Sequence, residues 1–119
     1  MSLRVWAYAG CDTCRKALKF LTEHGVAPEV IAIREQPPGV AELRRMLGYV
    51  GGDLRRLFNT SGLDYRALKM SERLPKLNED EALALLAANG NLVKRPFALT
   101  ATDGAVGFKP EEWARILER

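Results

Sequence analysis

The residues with the clearest chemical potential are the two cysteines of the segment YAGCDTCRKALKFL, Cys11 and Cys14, which are the only cysteines of the 119-residue chain. Two residues separate them, so a helix would place Cys14 one turn from Cys11. This spacing is compatible with two inert apolar side chains, with half of a metal site, or with a reactive dithiol. Most of what the sequence says about function depends on which of these applies.

The sequence around the pair favours the reactive dithiol. A zinc site needs about four ligands, and the single histidine, His24, stands at the far end of the predicted helix, so we expect no bound metal. The start MSLRVWAYAG lacks the long apolar region of a signal peptide, and no apolar run approaches the ~20 residues of a membrane span. We therefore expect a cytoplasmic protein with no membrane segment, in which cellular thiols keep cysteines reduced.

The net charge and the composition exclude few further functional classes. The net charge is +3, with 47% hydrophobic and 28% charged residues, which is typical of one globular domain. Basic residues gather between Arg44 and Lys76, either as a solvated helical surface or as a contact for an anionic partner or substrate. Nothing resembles a helix-turn-helix with a base-reading helix, so we expect no direct sequence-specific binding of nucleic acid.

The elements that must position the cysteines form a β-α-β unit. LRVWAYA alternates like a strand, apolar residues recur at helical spacing from Thr13 to His24, Gly25 ends that helix, and APEVIAI is a second strand, parallel to the first. Cys11 then lies at or just before the helix N-terminus, where free N–H groups and the helix dipole stabilise a thiolate. We expect Cys11 to be the attacking thiol and Cys14 to lie within reach of it.

The rest of the chain predicts helices followed by a hairpin. The insertion, at about 40–90, includes a short helix capped by Asp53 and a helix in NEDEALALLAANG that begins with an Asn78–Glu81 capping box and ends at Gly90. FALTA, TDG and AVGF form a hairpin, and KPEEWARILER a last helix. This order, β-α-β, helical insertion, β-β-α, predicts one α/β domain over 1–119. It is the order of a thioredoxin-like fold, with a mixed sheet flanked by helices.

A second segment with chemical potential is NLVKRPFAL. Pro96 stands at the start of the predicted hairpin, a position that proline tolerates. In thioredoxin-like folds a cis-proline at this point packs across from the reactive cysteine. Arg95 is either an anion-binding group, since a guanidinium suits oxyanions and carboxylates, or an exposed residue beside a turn.

Four segments, GCDTCRKAL, NTSGLDYRAL, LVKRPFAL and GFKPEEWARIL, together resemble the ArsC/Spx family over essentially the whole chain. That family contains glutaredoxin-coupled arsenate reductases, redox-sensing transcription regulators of the Spx type, and small relatives suspected of glutathione-dependent thiol reduction. The NTSG segment is most similar to the small relatives. The resemblance implies a thioredoxin-like fold, in agreement with the order of elements.

The resemblance also implies roles for the residues around the cysteines. The reductases carry a nucleophilic cysteine in a C-x-x-S-R loop, and Cys11 and Arg15 match its cysteine and arginine. Cys14 stands where these reductases usually have serine. The Spx-type regulators instead carry C-x-x-C there, as this chain does, and switch it between dithiol and disulfide.

Three arginines hold the arsenic oxyanion in the reductases. Arg95 matches the arginine before the proline, whereas Asn59 and Lys109 stand at the positions of the other two. Lysine supplies charge without a bidentate fork, and asparagine supplies neither. Loss of one charged hydrogen bond costs about 1.5–3 kcal/mol, so the resemblance implies a weakened arsenate site, unless Arg56 or Arg66 substitutes from nearby.

Two functional hypotheses follow. The first is a small thiol-dependent oxidoreductase with Cys11 as nucleophile and Cys14 or glutathione as resolving thiol, reduced by glutathione, a glutaredoxin or a thioredoxin. It needs no bound cofactor, and no G-x-G-x-x-G follows a strand. The alternative is an Spx-type redox-switched regulator that contacts RNA polymerase. We expect a monomer in either case.

Overall fold

A four-stranded mixed sheet forms the centre of the protein. The computed structural model describes residues 2–118, so Met1 and Arg119, the ends of the predicted domain, lie outside the described residues. The strands are β1 (Arg4–Ala7), β2 (Glu29–Ala32), β3 (Phe97–Leu99) and β4 (Gly104–Val106), in the order β2-β1-β3-β4. β1 and β2 are parallel, and β3 is antiparallel to both β1 and β4. The predicted parallel β-α-β pair and the C-terminal hairpin are therefore confirmed.

Within residues 2–118, six α-helices surround this sheet. They are α1 (Asp12–Glu23), α2 (Val40–Tyr49), α3 (Leu63–Ala67), α4 (Met70–Arg73), α5 (Glu79–Ala88) and α6 (Pro110–Leu117). Short 3₁₀ turns occupy Leu54–Leu57, Leu74–Lys76 and Gly90–Leu92. Helices α2 to α5 all lie between β2 and β3, in the stretch where the sequence predicts an insertion. Within residues 2–118, no helix is both long and apolar enough to cross a membrane.

Each face of the sheet carries its own apolar cluster, because successive strand residues point to opposite sides. The Val5 face packs against α1 and α6, through Leu21 and Trp113 among others. The Trp6 face packs against the insertion helices, and the Trp6 ring meets Phe97 edge to face at 5.3 Å. Cys14 belongs to the first cluster, so the cysteine pair lies where α1 meets the sheet.

Local signals in the sequence correctly predict the end of α1 and the start of α5. Gly25 has a positive φ of 71° just after α1, as its predicted stop requires. At α5, the Asn78 side chain accepts a hydrogen bond from the Glu81 backbone at 2.8 Å, and the Glu81 carboxylate accepts one from the Asn78 N–H at 3.0 Å. The predicted capping box is therefore confirmed.

Gly90 follows directly on the end of α5, as predicted, but it lacks the left-handed backbone of a glycine cap. Asn89 is the C-cap, and Gly90 begins the following 3₁₀ turn. A Cβ on Gly90 would lie 1.9 Å from the Ile33 carbonyl oxygen, so glycine is required here by the close approach of the chain after β2. The sequence pattern shows a glycine after a helix but not this long-range contact.

Candidate active site

Cys11 is the N-cap of α1, as the sequence predicts. Its backbone is extended (φ −101°, ψ 115°), and its Sγ accepts a hydrogen bond from the Cys14 backbone N–H at 3.2 Å. The Cys11 N–H in turn donates to the Tyr8 carbonyl at 3.1 Å, which fixes the loop between β1 and α1. Cys11 is partly exposed, so its sulfur combines access to solvent with the partial positive charge of a helix N-terminus.

Cys14, unlike Cys11, is shielded from solvent. It is 1% exposed and packs among the apolar residues between α1 and the sheet. Burial, and next a side-chain hydrogen bond with Cys11, raise the pKa of the Cys14 thiol from 9.0 to about 12. At neutral pH Cys14 therefore keeps its proton, hydrogen-bonded to the sulfur of Cys11. The two thiols are free, close together and unequal in access.

Histidine and carboxylates do not join the cysteines. The His24 Nδ1 lies 2.8 Å from the Phe20 carbonyl at the other end of α1. In the part of the chain from residue 2 to residue 118, no group of three or more His, Cys, Asp or Glu side chains has the arrangement of a metal site.

A basic cavity of about 550 Å³ lies beside the N-terminus of α1, where Thr13 contributes to its wall. Five cationic side chains line it, namely Arg55, Arg56, Lys94, Arg95 and Lys109. Asp53 is the acidic residue of the lining, and Arg56 also lies 3.7 Å from Glu112. The surplus of positive charge suits an anionic group brought towards the cysteine pair.

Backbone pairing between distant segments builds this cavity. Phe58 and Val93 form an isolated antiparallel bridge. The Asn59 N–H donates to the Leu92 carbonyl at 2.7 Å, and the Lys94 N–H donates to the Leu57 carbonyl at 2.8 Å. These contacts bring the arginines before Leu57 alongside the segment that contains Lys94 and Arg95. The sequence showed basic residues in both segments but gave no sign of the pairing.

Arg95 is half-buried, so it is not an exposed residue beside a turn, and its anion-binding role stays a prediction. Its Nη2 donates to the carbonyls of Gly90 (3.1 Å) and Asn91 (2.9 Å), and its Nε lies 3.4 Å from the Val93 carbonyl. The guanidinium thus closes the loop before β3 while still lining the basic cavity. Arg95 is also among the influences on Cys14, where its charge lowers the pKa against the larger effect of burial.

Pro96 follows Arg95 at the start of the inner strand β3. It is buried, directly precedes β3, and its carbonyl accepts a hydrogen bond from the Gly107 N–H at 2.9 Å. The Arg95–Pro96 peptide bond is cis.

The remaining predicted site residues occupy three different environments. Lys109 lines the basic cavity as the residue before α6. Arg15 is exposed, where its guanidinium donates to the Ala9 carbonyl at 2.8 Å and pairs with Asp12, so it supports the cysteine loop. Asn59 is absent from the lining of the basic cavity, and its side chain packs over Gly62. Substrate binding by Arg15 or Asn59 stays a prediction from the resemblance.

Tyr8 is a site residue that the sequence analysis missed. Its ring covers Gly10, where a Cβ would lie 2.6 Å from Tyr8 Cε2. The Arg34 guanidinium lies 4.8 Å from the ring centroid, and that of Arg95 lies 5.9 Å from it. In the sequence, an aromatic residue three positions before Cys11 was a signal that could have identified Tyr8 as a site residue. Its ring holds two cations beside the cysteine loop.

The comparisons with known proteins agree with the fold. The chain is 46% identical over 113 residues to the uncharacterized protein YusI of Bacillus subtilis, covering 95% of this chain and 96% of YusI. The crystal structure of an ArsC family related protein from Bacteroides fragilis superposes with a TM-score of 0.91 at 42% identity, covering 98% of both chains. This match confirms the predicted α/β fold as thioredoxin-like, as found in ArsC proteins.

More distant relatives carry the names of both subgroups that the resemblance implied. An arsenate reductase of Neisseria meningitidis is 28% identical and covers 97% of both chains. The global transcriptional regulator Spx of Enterococcus faecalis is 27% identical, covering 98% of this chain and 87% of that protein. The family model described as ArsC family matches residues 6–116. The chain therefore belongs to the ArsC family.

Proposed function

We propose that this protein is a small thiol-dependent oxidoreductase that reduces organic disulfides, with Cys11 as nucleophile and Cys14 as resolving thiol. The single observation that carries the proposal is the arrangement of the two sulfurs at the N-terminus of α1. Cys11 is partly exposed and caps the helix, while Cys14 is buried one turn behind it with a raised pKa. An accessible attacking thiol and a protected second thiol are what stepwise disulfide exchange requires.

The reaction balances as a two-electron exchange. The Cys11 thiolate attacks one sulfur of the substrate RSSR, which forms a mixed disulfide with Cys11 and releases RS⁻, which takes up a proton. Cys14 loses its proton as it attacks the Cys11 sulfur, and the second RS⁻ leaves as RSH. The substrate gains two electrons, and the protein ends with a Cys11–Cys14 disulfide. A thiol reductant, glutathione or a glutaredoxin or thioredoxin, returns the two electrons.

The surroundings of the pair supply charge for this exchange. The amide N–H of Cys14, in the first turn of α1, donates to the sulfur of Cys11 and would stabilise a thiolate there. The basic cavity favours an anionic leaving group in the same place. A cytoplasmic location suits the proposal, because the reducing pool there keeps the dithiol ready to react.

An organic disulfide fits the site better than arsenate does. The Arg95 guanidinium already spends Nε and Nη2 on backbone carbonyls, and Asn59 lies outside the basic cavity. Of the positions that hold the oxyanion in the reductases, Lys109 then remains as a cation without another described partner. At that position lysine supplies charge but not the bidentate fork of an arginine.

Turnover coupled to glutathione and glutathione reductase tests the proposal. Bis(2-hydroxyethyl) disulfide and arsenate are offered as alternative oxidants, and NADPH consumption is followed. We expect turnover with the disulfide that disappears in Cys11→Ser and falls sharply in Cys14→Ser. Full activity of Cys11→Ser, or arsenate as the sole accepted oxidant, would contradict the proposal.

The regulator hypothesis has less support. The relatives named Spx are 27% identical to this chain, whereas YusI is 46% identical and carries no such name. Contact with RNA polymerase therefore stays a prediction from the resemblance and from the C-x-x-C spacing. Polymerase binding by the oxidised form alone, together with absence of turnover, would favour it.

A further inference from the structure

A second and larger cavity, of about 770 Å³, is formed by residues of the helical insertion between β2 and β3. We call it the insertion cavity. Its volume falls within the ~300–1,000 Å³ range of pockets for organic ligands. Guanidinium groups, hydroxyl groups and apolar carbons all contribute to its wall, through Arg55, Thr60, Tyr65, Arg66, Ser71 and Leu74 among others.

The Tyr65 hydroxyl is a polar group of this wall that has no partner in the protein. Tyr65 is 7% exposed, and its ring packs against Phe58 with the ring centroids 6.2 Å apart. Among residues 2–118, no group forms a hydrogen bond with the Tyr65 hydroxyl, whereas every buried side-chain N or O atom that is cut off from solvent has a partner. The hydroxyl therefore opens into the cavity that Tyr65 lines. A buried tyrosine usually has a partner for its O–H, and a ligand in the cavity would supply one.

The positive charge of the insertion cavity is also available for a ligand. Among residues 2–118, the side chains of Arg55 and Arg66 make no salt bridge and no hydrogen bond. Asp53 is the acidic residue of the wall, and its carboxylate accepts a hydrogen bond from the Arg55 backbone N–H at 3.1 Å. Two cations and one anion leave a surplus of positive charge, which attracts an anionic ligand.

The donors of the wall favour phosphate over carboxylate as the anionic group. Two guanidinium groups and three hydroxyl groups line the cavity. A phosphate monoester offers three strong acceptor oxygens and a charge of about −1.5 to −2 at neutral pH, whereas a carboxylate offers two oxygens and a single charge. Phosphate alone would leave most of the cavity empty, and Leu74 adds apolar surface to the wall.

From these features we infer that the insertion cavity is a binding site for the phosphate monoester of a small, partly apolar organic molecule. The Tyr65 hydroxyl and the Arg66 guanidinium donate hydrogen bonds to the phosphate oxygens. Hydrogen bonds of this kind, to a charged acceptor, are stronger than those between neutral groups. The apolar part of the wall receives the organic body of the ligand.

This site is separate from the cysteine chemistry. Neither cysteine contributes to the insertion cavity. The insertion cavity and the basic cavity share Arg55 and Thr60, but Tyr65 and Arg66 line the insertion cavity alone. Substitution of these two residues therefore leaves the wall of the basic cavity intact. The inference does not depend on the proposed oxidoreductase reaction, because binding can be measured in Cys11→Ser.

Binding of phenyl phosphate tests the role of the hydroxyl, because this probe joins a phosphate monoester to a small apolar ring. In an NMR titration at constant ionic strength we expect amide shifts at Tyr65, Arg66 and Ser71. The Kd should rise on the order of tenfold in Tyr65→Phe, which removes only the hydroxyl. Tyr49→Phe is the matched control, because the Tyr49 hydroxyl already accepts a hydrogen bond within the protein and lines neither cavity.

Two further comparisons test the charge and the ligand class. Arg66→Gln should raise the Kd on the order of tenfold, whereas Arg73→Gln, in the same insertion but outside both cavities, should leave it unchanged. Inorganic phosphate lacks the organic body, and benzoate has a carboxylate in place of phosphate. Each should bind to the wild type on the order of tenfold more weakly than phenyl phosphate does.

The outcomes are decisive in both directions. Weaker binding in Tyr65→Phe and Arg66→Gln but not in their controls, together with unchanged binding in Cys11→Ser, would support the inference whether or not the protein exchanges disulfides. Amide shifts confined to the basic cavity, an equal Kd in Tyr65→Phe and Tyr49→Phe, or no binding of phenyl phosphate would overturn it. Tighter binding of benzoate than of phenyl phosphate would overturn the assignment of phosphate.

Discussion

The backbone N–H of Cys14 donates a hydrogen bond to Cys11 Sγ at 3.2 Å, so the proposed nucleophile is also the cap of the helix that carries its partner. In most helices an oxygen of Ser, Thr, Asp or Asn has this role. Here a sulfur satisfies an otherwise free amide, and a negative charge on that sulfur strengthens the bond. Capping and the proposed nucleophilic role therefore depend on the same atom.

Alkylation of the native, reduced protein should modify one cysteine only. Cys11 is partly exposed, whereas Cys14 is 1% exposed and keeps its proton because burial raises its pKa. We expect iodoacetamide at neutral pH to add one label, at Cys11, as located by peptide mass spectrometry. Cys11→Ser should take up label at Cys14 only after denaturation. Equal labelling of both cysteines in the native wild type would show that the assigned roles are wrong.

Stability should fall at high pH because of Cys14. In the unfolded chain the Cys14 thiol loses its proton near pH 9.0, whereas in the folded protein it does so only near pH 12. Between these two pH values the unfolded state therefore binds fewer protons than the folded state. The free energy of unfolding should therefore drop above pH 9.0, by a slope that approaches about 1.4 kcal/mol per pH unit. This contribution is fully present below pH 9.0.

The measurement compares wild type and Cys14→Ala by urea denaturation at neutral and alkaline pH. We expect the stability difference between them to be constant up to about pH 9 and to shrink above it, because the variant lacks the titrating thiol. A difference that stays constant into the alkaline range would mean that Cys14 ionises equally in both states.

Charge in the basic cavity should affect the binding of anionic disulfides. Lys109 is exposed and lines that cavity, so Lys109→Gln removes one attractive charge from it. We expect the rate of exchange with glutathione disulfide to fall roughly two- to fivefold at low salt, and the difference to diminish as salt increases. Lys76→Gln, in a 3₁₀ turn and outside both cavities, is the control. An identical loss in both variants would argue against a local role for Lys109.

Gly90 should be intolerant of any side chain. A Cβ there would lie 1.9 Å from the Ile33 carbonyl oxygen, and the Gly90 carbonyl also accepts a hydrogen bond from Arg95. We expect Gly90→Ala to lower the free energy of unfolding by about 1–3 kcal/mol, since backbone must move to admit the methyl group. In contrast, Gly48→Ala in α2 meets no atom within 4 Å and should raise it by about 0.5–1 kcal/mol. Thermal denaturation of both variants measures the contrast, which equal effects would contradict.

The sequence by itself determined those parts of the protein that depend on neighbours in the chain. Cys11 as the N-cap of α1, the Asn78–Glu81 capping box and the hairpin before Pro110 all follow from residues within a few positions of one another. Capping, amphipathic spacing and turn chemistry act over such distances, so their signals are readable without a structure.

Only the tertiary structure decided which distant residues share the site. The burial that raises the pKa of Cys14 comes from packing of α1 on the sheet, and the pairing of Phe58 with Val93 brings the arginines of the insertion to Arg95. Tyr8 and Gly90 acquire their roles through contacts of the same kind. Such contacts join segments far apart in the chain, and their free energy depends on the whole packed arrangement. Neighbouring residues in the sequence therefore carry no signal for them.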